Sequence, residues 1–288
     1  MSEKQDIIFE WLEADAETLQ KLFPEDICME LQEVTSYIYA AEDRLEGRLI
    51  GAAAFSILEM LQRIVQMHYL VVEETFRGQG IGSRLLKNAC SLIKEAGGDY
   101  ILFRCIEDSS EKLLAPCHFA RKNGFAPTAP ETSLLVYPME QIRESKVYQK
   151  VQNAKPPSFL VAFTDYEDPR ITAFNRDPAH GLLPLSQGTF HLQYSRFYLE
   201  KDRIRGSACV LLFQDGLAVL QDIFLEDGVD EKTIWPLLFS YAIGACGKEE
   251  TLEKVCIRLS GRKRQTAVLG TLGEPEAEYK VMEMVRVL

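Results

Sequence analysis

The chain has 288 residues, 47% of them hydrophobic and 26% charged, which excludes intrinsic disorder and low-complexity function. A formal net charge of −11 has the wrong sign for nucleic-acid binding. No apolar run approaches the ~18–20 residues of a membrane span, and the opening MSEKQDIIFEWLEADAE lacks the apolar core of a secretory signal, so a cytoplasmic protein without membrane partners is expected.

In chain order, residues 7–12 (IIFEWL) read as a strand, and 14–23 and 25–33 as two helices separated by Pro24, a residue suited to a first helical turn. Strands are expected at 36–42, 49–58 and 65–72, the last rich in β-branched and aromatic residues. A glycine-rich segment, RGQGIG at 77–82, leads into a helix over 83–95 whose Leu85, Leu86, Ala89, Leu92 and Ile93 keep helical spacing. Gly97-Gly98 ends it, a strand follows at 100–105, a short helix at 117–123, and a closing strand at 134–137. Residues 141–157 are polar, end in Pro-Pro and read as a linker; 165–188 carry Pro and Gly without periodicity, the mark of a functional or mobile loop.

The second half repeats the first in outline. EDRLEGRLIGAAAF around Gly51 and EKDRIRGSACVL around Gly206 both run from a charged turn into a strand. A further strand, a helix (83–95; 232–245) and another strand (100–104; 255–259) follow each. This predicts a duplicated α/β (α+β) fold with domains at 1–140 and 158–288, each a mixed sheet flanked by helices.

Three glycines in five residues, between a strand and a helix, allow a tight turn and close approach of a ligand. The helix start adds unpaired N–H groups and a positive dipole end, together a phosphate cradle, with Arg77 as a charged donor at its entrance. A P-loop requires a Lys after its last glycine, and none stands here; a dinucleotide fingerprint requires GxGxxG, whereas Gly78, Gly80 and Gly82 give GxGxG.

The segment VVEETFRGQGIGSRLLKNA resembles the coenzyme A loop of the GNAT superfamily of N-acetyltransferases, with Arg77, Gly80 and Gly82 at the defined positions of its Arg/Gln-x-x-Gly-x-Gly/Ala motif. HFARKNGF, about forty residues on, resembles the family's Phe-Tyr-x-x-x-Gly-Phe signature through Phe119, Gly124 and Phe125. The resemblance covers about 5–140; beyond 158 it rests on element order, and EDGVDEK stands where a second loop belongs, so the second copy is expected not to bind coenzyme A.

The resemblance implies acetyl-CoA as co-substrate, transferred to a primary amine in a ternary complex. It places the pantetheine arm along the backbone of Leu70, Val71 and Val72, and the pyrophosphate on Arg77, Gly78, Gln79, Gly80, Ile81, Gly82 and Ser83. His68, four residues before Val72 and of the same strand parity, is the candidate general base, with Glu33 as a second candidate and Tyr37 as a further acceptor-side residue. The family's usual acid, a Tyr, is replaced by Ala120; Cys117 and His118 stand one turn earlier, and a thiolate with a thiol pKa near ~8.5 leaves without strong assistance. A coenzyme A-binding regulatory module with little turnover is the alternative reading.

Residues 1–145 hold 24 acidic and 14 basic side chains, which favours a cationic small-molecule or peptide amine as acceptor. Seven Cys without a CxxC pair argue for reduced thiols rather than disulfides or a zinc site. His180 and His191 share no ligand spacing, so no metal is expected. Arg262-Lys263-Arg264 reads as a solvated loop. The sequence leaves a homo-oligomer open.

Overall fold

The computed structural model describes residues 7–13, 16–24, 28, 31, 36–59, 63–176, 190–213 and 216–288. Two compact units emerge: Met1–Pro130 together with Val281–Leu288, and Glu131–Lys280.

In the first unit, β1 (Ile7–Leu12), α1 (Ala16–Leu22), β2 (Ser36–Asp43), β3 (Arg48–Glu59), β4 (Ile64–Val72), α2 (Ile81–Glu95), β5 (Tyr100–Glu107), α3 (Ser110–Lys122) and the two-residue β6 (Ala126–Pro127) follow one another. The strands β1 to β5 lie side by side in chain order, antiparallel up to β4, with β4 and β5 parallel. Alternation along them feeds two cores. On one face Tyr39, Ala53, Phe55 and Met67 meet Leu85, Leu86, Ala89 and Ile93 of α2. On the other, Ile38, Ala40, Ala52 and Ala54 meet Leu19 and Phe23. The small residues Ala52–Ala54 are fully buried. Helix α3 starts earlier than expected, because Ser109 caps it by accepting from the Lys112 amide at 3.3 Å.

In the second unit, β7 (Thr132–Pro138) is followed by α4 (Met139–Glu144), α5 (Lys146–Val151), β8 (Leu160–Val161), α6 (Pro169–Arg176), β9 (Arg196–Glu200), β10 (Arg203–Ala208), β11 (Val210–Leu212), β12 (Leu217–Leu220), β13 (Phe224–Leu225), α7 (Glu231–Gly247), β14 (Lys254–Ser260), α8 (Arg262–Leu272) and β15 (Ala277–Val287). Strand β12 pairs β14 in parallel with α7 between them, as β4 pairs β5 across α2; the expected duplication is visible in this shared unit. Strands β8, β9, β10 and β13 form a separate four-stranded sheet.

Four expectations change. The strand at 132–138 belongs to the second unit and pairs antiparallel with β14, from Lys254↔Pro138 to Ser260↔Thr132. The neighbour of β5 in the first unit is β15 from Val281 onward, a stretch for which no strand was expected. Alternation identifies a strand but carries no information about its partner. Residues 141–157 hold most of α4 and all of α5 rather than a bare linker, with Met139, Ile142 and Val151 buried. Arg262-Lys263-Arg264 opens a helix, and Arg264 pairs with Asp222 at 2.9 Å and Glu231 at 3.1 Å. Of the expected loop 165–188, Pro169–Arg176 is helix α6, and 177–189, with His180, lies outside the described residues. No described helix is long and apolar enough to cross a membrane, and all seven cysteines are buried and none forms a disulfide.

Candidate active site

Strands β4 and β5 pair only from Ile64↔Tyr100 to Met67↔Phe103. Beyond Met67, β4 continues to Val72 held by β3 alone, through Ala53↔Leu70, Ala52↔Val71 and Gly51↔Val72. The two parallel strands therefore part at His68, leaving an edge of β4 backbone open over Leu70–Val72, the segment that sequence reasoning singled out. A 3-10 turn at Glu74–Phe76 follows, pinned by an Arg48–Glu73 ion pair of 3.2 Å.

The glycines of the next loop divide the work. Gly78 and Gly80 have φ of +78° and +79°, and a Cβ built at either meets no atom within 4 Å; they need glycine for the backbone and leave open space before it. Gly82 has ordinary φ, but its Cβ would touch Leu70, Phe119 and Val72 at 3.3–3.4 Å, so it seats α2 closely on β4. Gly80 caps α2 without any side-chain bond, and no acidic residue stands in the first turn. The amides of Ile81, Gly82 and Ser83 lie where a helix has no internal partners, so this end is free to receive an anion. Arg77 is exposed, but its Nε donates to the Val72 carbonyl at 3.0 Å, so it braces the strand end as well as flanking the loop. Gln79 donates to the Thr75 carbonyl at 3.3 Å.

His68 departs from the parity expectation. The β3–β4 register shifts between Ala54↔Tyr69 and Phe55↔Met67, so His68 is the extra residue of a bulge. Leu70 and Val72 pack toward α2, while Tyr69 and Val71 pack toward α1. The imidazole Nε2 lies 2.7 Å from Ser56 Oγ, and Nδ1 3.5 Å from Gln66 Nε2. His68 thus stands where the strands part, turned away from the Val72 side chain. Ser56, buried at 3% exposure, was missed by sequence reasoning, since only the β3–β4 register brings it to His68. Tyr69, the next residue, packs edge-on against Phe23 on the α1 side of the sheet. Glu33 lies outside the described residues. Tyr37 is on the opposite face from His68, against Trp11 and Phe55 around a separate cavity.

Ala120 is fully buried. Cys117 is buried too and shares a hydrogen bond with the Cys105 thiol, which burial pushes far up; His118 is exposed. Among the described residues no group of His, Cys, Asp and Glu is placed to hold a metal.

Residues 5–125 match the family model described as "Acetyltransferase (GNAT) family". A tandem GNAT protein from the clavulanic acid biosynthesis pathway superposes over 98% of both chains, with a TM-score of 0.55 at 14% identity. The chain has the fold of a tandem GNAT protein, and its family match is confined to the first unit. A GCN5-related N-acetyltransferase from Sphaerobacter thermophilus aligns over 96% of this chain and 95% of its own, with a TM-score of 0.59 at 13% identity. A GCN5-related glucosamine N-acetyltransferase region of a fungal multi-domain β-N-acetylglucosaminidase gives 0.65 at 15% identity, covering 98% of this chain and 38% of that one. No curated protein matches the chain significantly in sequence.

A GNAT fold implies an acetyl-CoA site in general, and the two units differ at the corresponding place. In the second, β12 and β14 also part, after Leu220↔Ile257. There the gap is bridged: Asp222 accepts from the Ser260 amide at 3.1 Å and from its hydroxyl, while Arg264 Nη1 donates to Asp222 and to the Ile223 carbonyl at 3.0 Å. The start of α7 is capped by its own carboxylate, Asp230, accepting from Lys232 N at 3.1 Å, with Glu231 in the first turn. Those acids occupy and neutralise the helix end that α2 leaves open.

Proposed function

We propose that the first unit binds acetyl-CoA and transfers its acetyl group directly to a primary amine in a ternary complex. The observation that carries this reading is the parting of β4 from β5 at His68, directly before a helix start built from Gly78, Gly80 and Gly82. Bound acetyl-CoA supplies an acetyl thioester, an activated acyl group with a thiolate leaving group. The open edge of Leu70–Val72 offers backbone N–H and C=O groups to the amides of a pantetheine arm. The amides from Gly78 to Ser83 hold the pyrophosphate, with the unused guanidinium nitrogens of Arg77 flanking. His68 takes the proton from the attacking amine, and Ser56 orients the imidazole.

Ala120 favours a second reading, a coenzyme A-binding module with little turnover, because no hydroxyl stands at that buried position to protonate the leaving thiolate. A thiol-release assay across a panel of cationic and peptide amines, beside acetyl-CoA calorimetry, separates the two. Binding with amine-dependent thiol release supports transfer. Binding without release from any amine supports the second reading, and no binding overturns both.

A further inference from the structure

At the far end of α2 from the glycine loop lies a second concavity. It has a volume of about 540 Å³ and is lined by Trp11, Tyr37, Phe55, Ile57, Val65 and Leu92, among others, with Gly97 and Gly98. Its nearest helical lining residue, Leu92, lies three turns of α2 beyond Ile81, about 16 Å at ~1.5 Å per residue, so it is no part of the candidate active site. Trp11, Tyr37, Ile57 and Leu92 are 41%, 44%, 49% and 36% exposed, large apolar side chains of four different elements turned to one space without filling it. Such a convergence marks a binding site rather than scattered surface apolarity. The volume is within the ~300–1,000 Å³ range of small-molecule pockets.

Among the described residues one charged side chain lines it, Arg63. It sits at φ +50°, a backbone conformation unusual for a side-chain-bearing residue, and its guanidinium lies across Gly97, where a Cβ would meet Nη1 at 2.7 Å. Glycine at 97 thus leaves room for the guanidinium at the rim. Among the described residues no carboxylate lies within ion-pair distance of Arg63.

We propose that this cavity binds an amphiphilic carboxylate, its hydrocarbon or aromatic body against Trp11, Ile57 and Leu92 and its carboxylate on Arg63. An apolar wall with a single cation at its rim selects that class over neutral and cationic amphiphiles of equal size.

The test uses the full chain and decanoate, decanol and decylamine, each below its micellar concentration. The chain has two tryptophans, and Trp235 is buried in the other unit, so a change in emission on titration reports Trp11. Decanoate should bind at least tenfold more tightly than decylamine. Arg63→Gln should remove at least tenfold of decanoate affinity and leave decanol unchanged. Leu92→Glu should abolish decanoate binding while acetyl-CoA affinity, read by calorimetry, stays as in the parent. Equal affinity for decylamine, an unaffected Arg63→Gln variant, or no binding of decanoate overturns the proposal. So does a sedimenting dimer that Leu92→Glu dissociates, which would assign the cavity to a second copy of the chain.

Discussion

Gly80 joins two demands at one Cα. Its φ of +79° strains any other residue, and the space before it is empty. Gly80→Ala should cost about 1–2 kcal/mol of stability, read as a modest fall in Tm, and should weaken acetyl-CoA binding at least tenfold in calorimetry. Gly261 is the control: it also caps a helix, has φ +81° and faces open space, but lies in the other unit. Gly261→Ala should lower Tm and leave acetyl-CoA affinity untouched. For His68, the bulge and the 2.7 Å contact with Ser56 set the expectation. His68→Gln should lower kcat/KM by about 10²–10⁴-fold with little change in acetyl-CoA affinity, because backbone rather than imidazole would hold the pantetheine. The acidic limb of the pH–rate profile should move in this variant, since protonated imidazole cannot accept a proton. Full activity with an unchanged profile would make His68 structural. The side of the sheet that His68 faces was not legible in its parity, because a bulge is a property of two strands in register, and one strand's sequence does not contain it.

Among the elements, β15 is the one whose place the sequence concealed. Residues 132–138 alternate as a strand should, whereas β15 buries Val281 and Met284 three positions apart, and each sits with elements far away along the chain. Val281 and Met284 are buried, Glu283 Oε1 accepts from Arg104 Nε and Nη2 at 3.0 and 2.9 Å, and the Leu288 amide donates to the Asp99 carbonyl at 2.9 Å. Met284→Ala should therefore destabilise the first unit by about 2–5 kcal/mol, measured by chemical denaturation with acetyl-CoA binding as the probe. A chain ending at Lys280 should lose acetyl-CoA binding, although it keeps every residue of the loop. Retained binding would show that β5 needs no neighbour on that side. By contrast, the strand–RGQGIG–helix stretch was readable because all its determinants are local: three glycines, the strand before and the amphipathic helix after. The lack of a second glycine loop was readable from EDGVDEK, but the bridge by Asp222 and Arg264 was not, since those residues are 42 positions apart.

Taken whole, the molecule should bind one acetyl-CoA per chain; two equivalent sites in calorimetry would contradict the contrast between the starts of α2 and α7. Its net charge of −11 should draw cationic acceptors, so kcat/KM should fall as salt rises; indifference to salt or preference for an anionic acceptor would remove that argument. All seven thiols are buried, and burial pushes Cys209 and Cys246 up to about 12 and Cys256 to about 11. Because the thiolate is the reactive form, the native protein should release almost no colour from an aromatic disulfide reagent at pH 8. In denaturant it should titrate seven thiols, so coenzyme A release is measurable against a low background.

The return of Val281–Leu288 to the first unit also sets a timetable. About 150 residues separate Pro130 from Val281, which a ribosome adding ~5–20 residues per second completes in roughly 8–30 seconds. Throughout that interval the nascent first unit has all of its glycine loop outside the tunnel and an unpaired edge at β5, the kind of edge that recruits foreign strands. The first half of the message is thus translated well before its product is finished, and a stall anywhere in the second half leaves an emerging chain with a sticky, incomplete sheet.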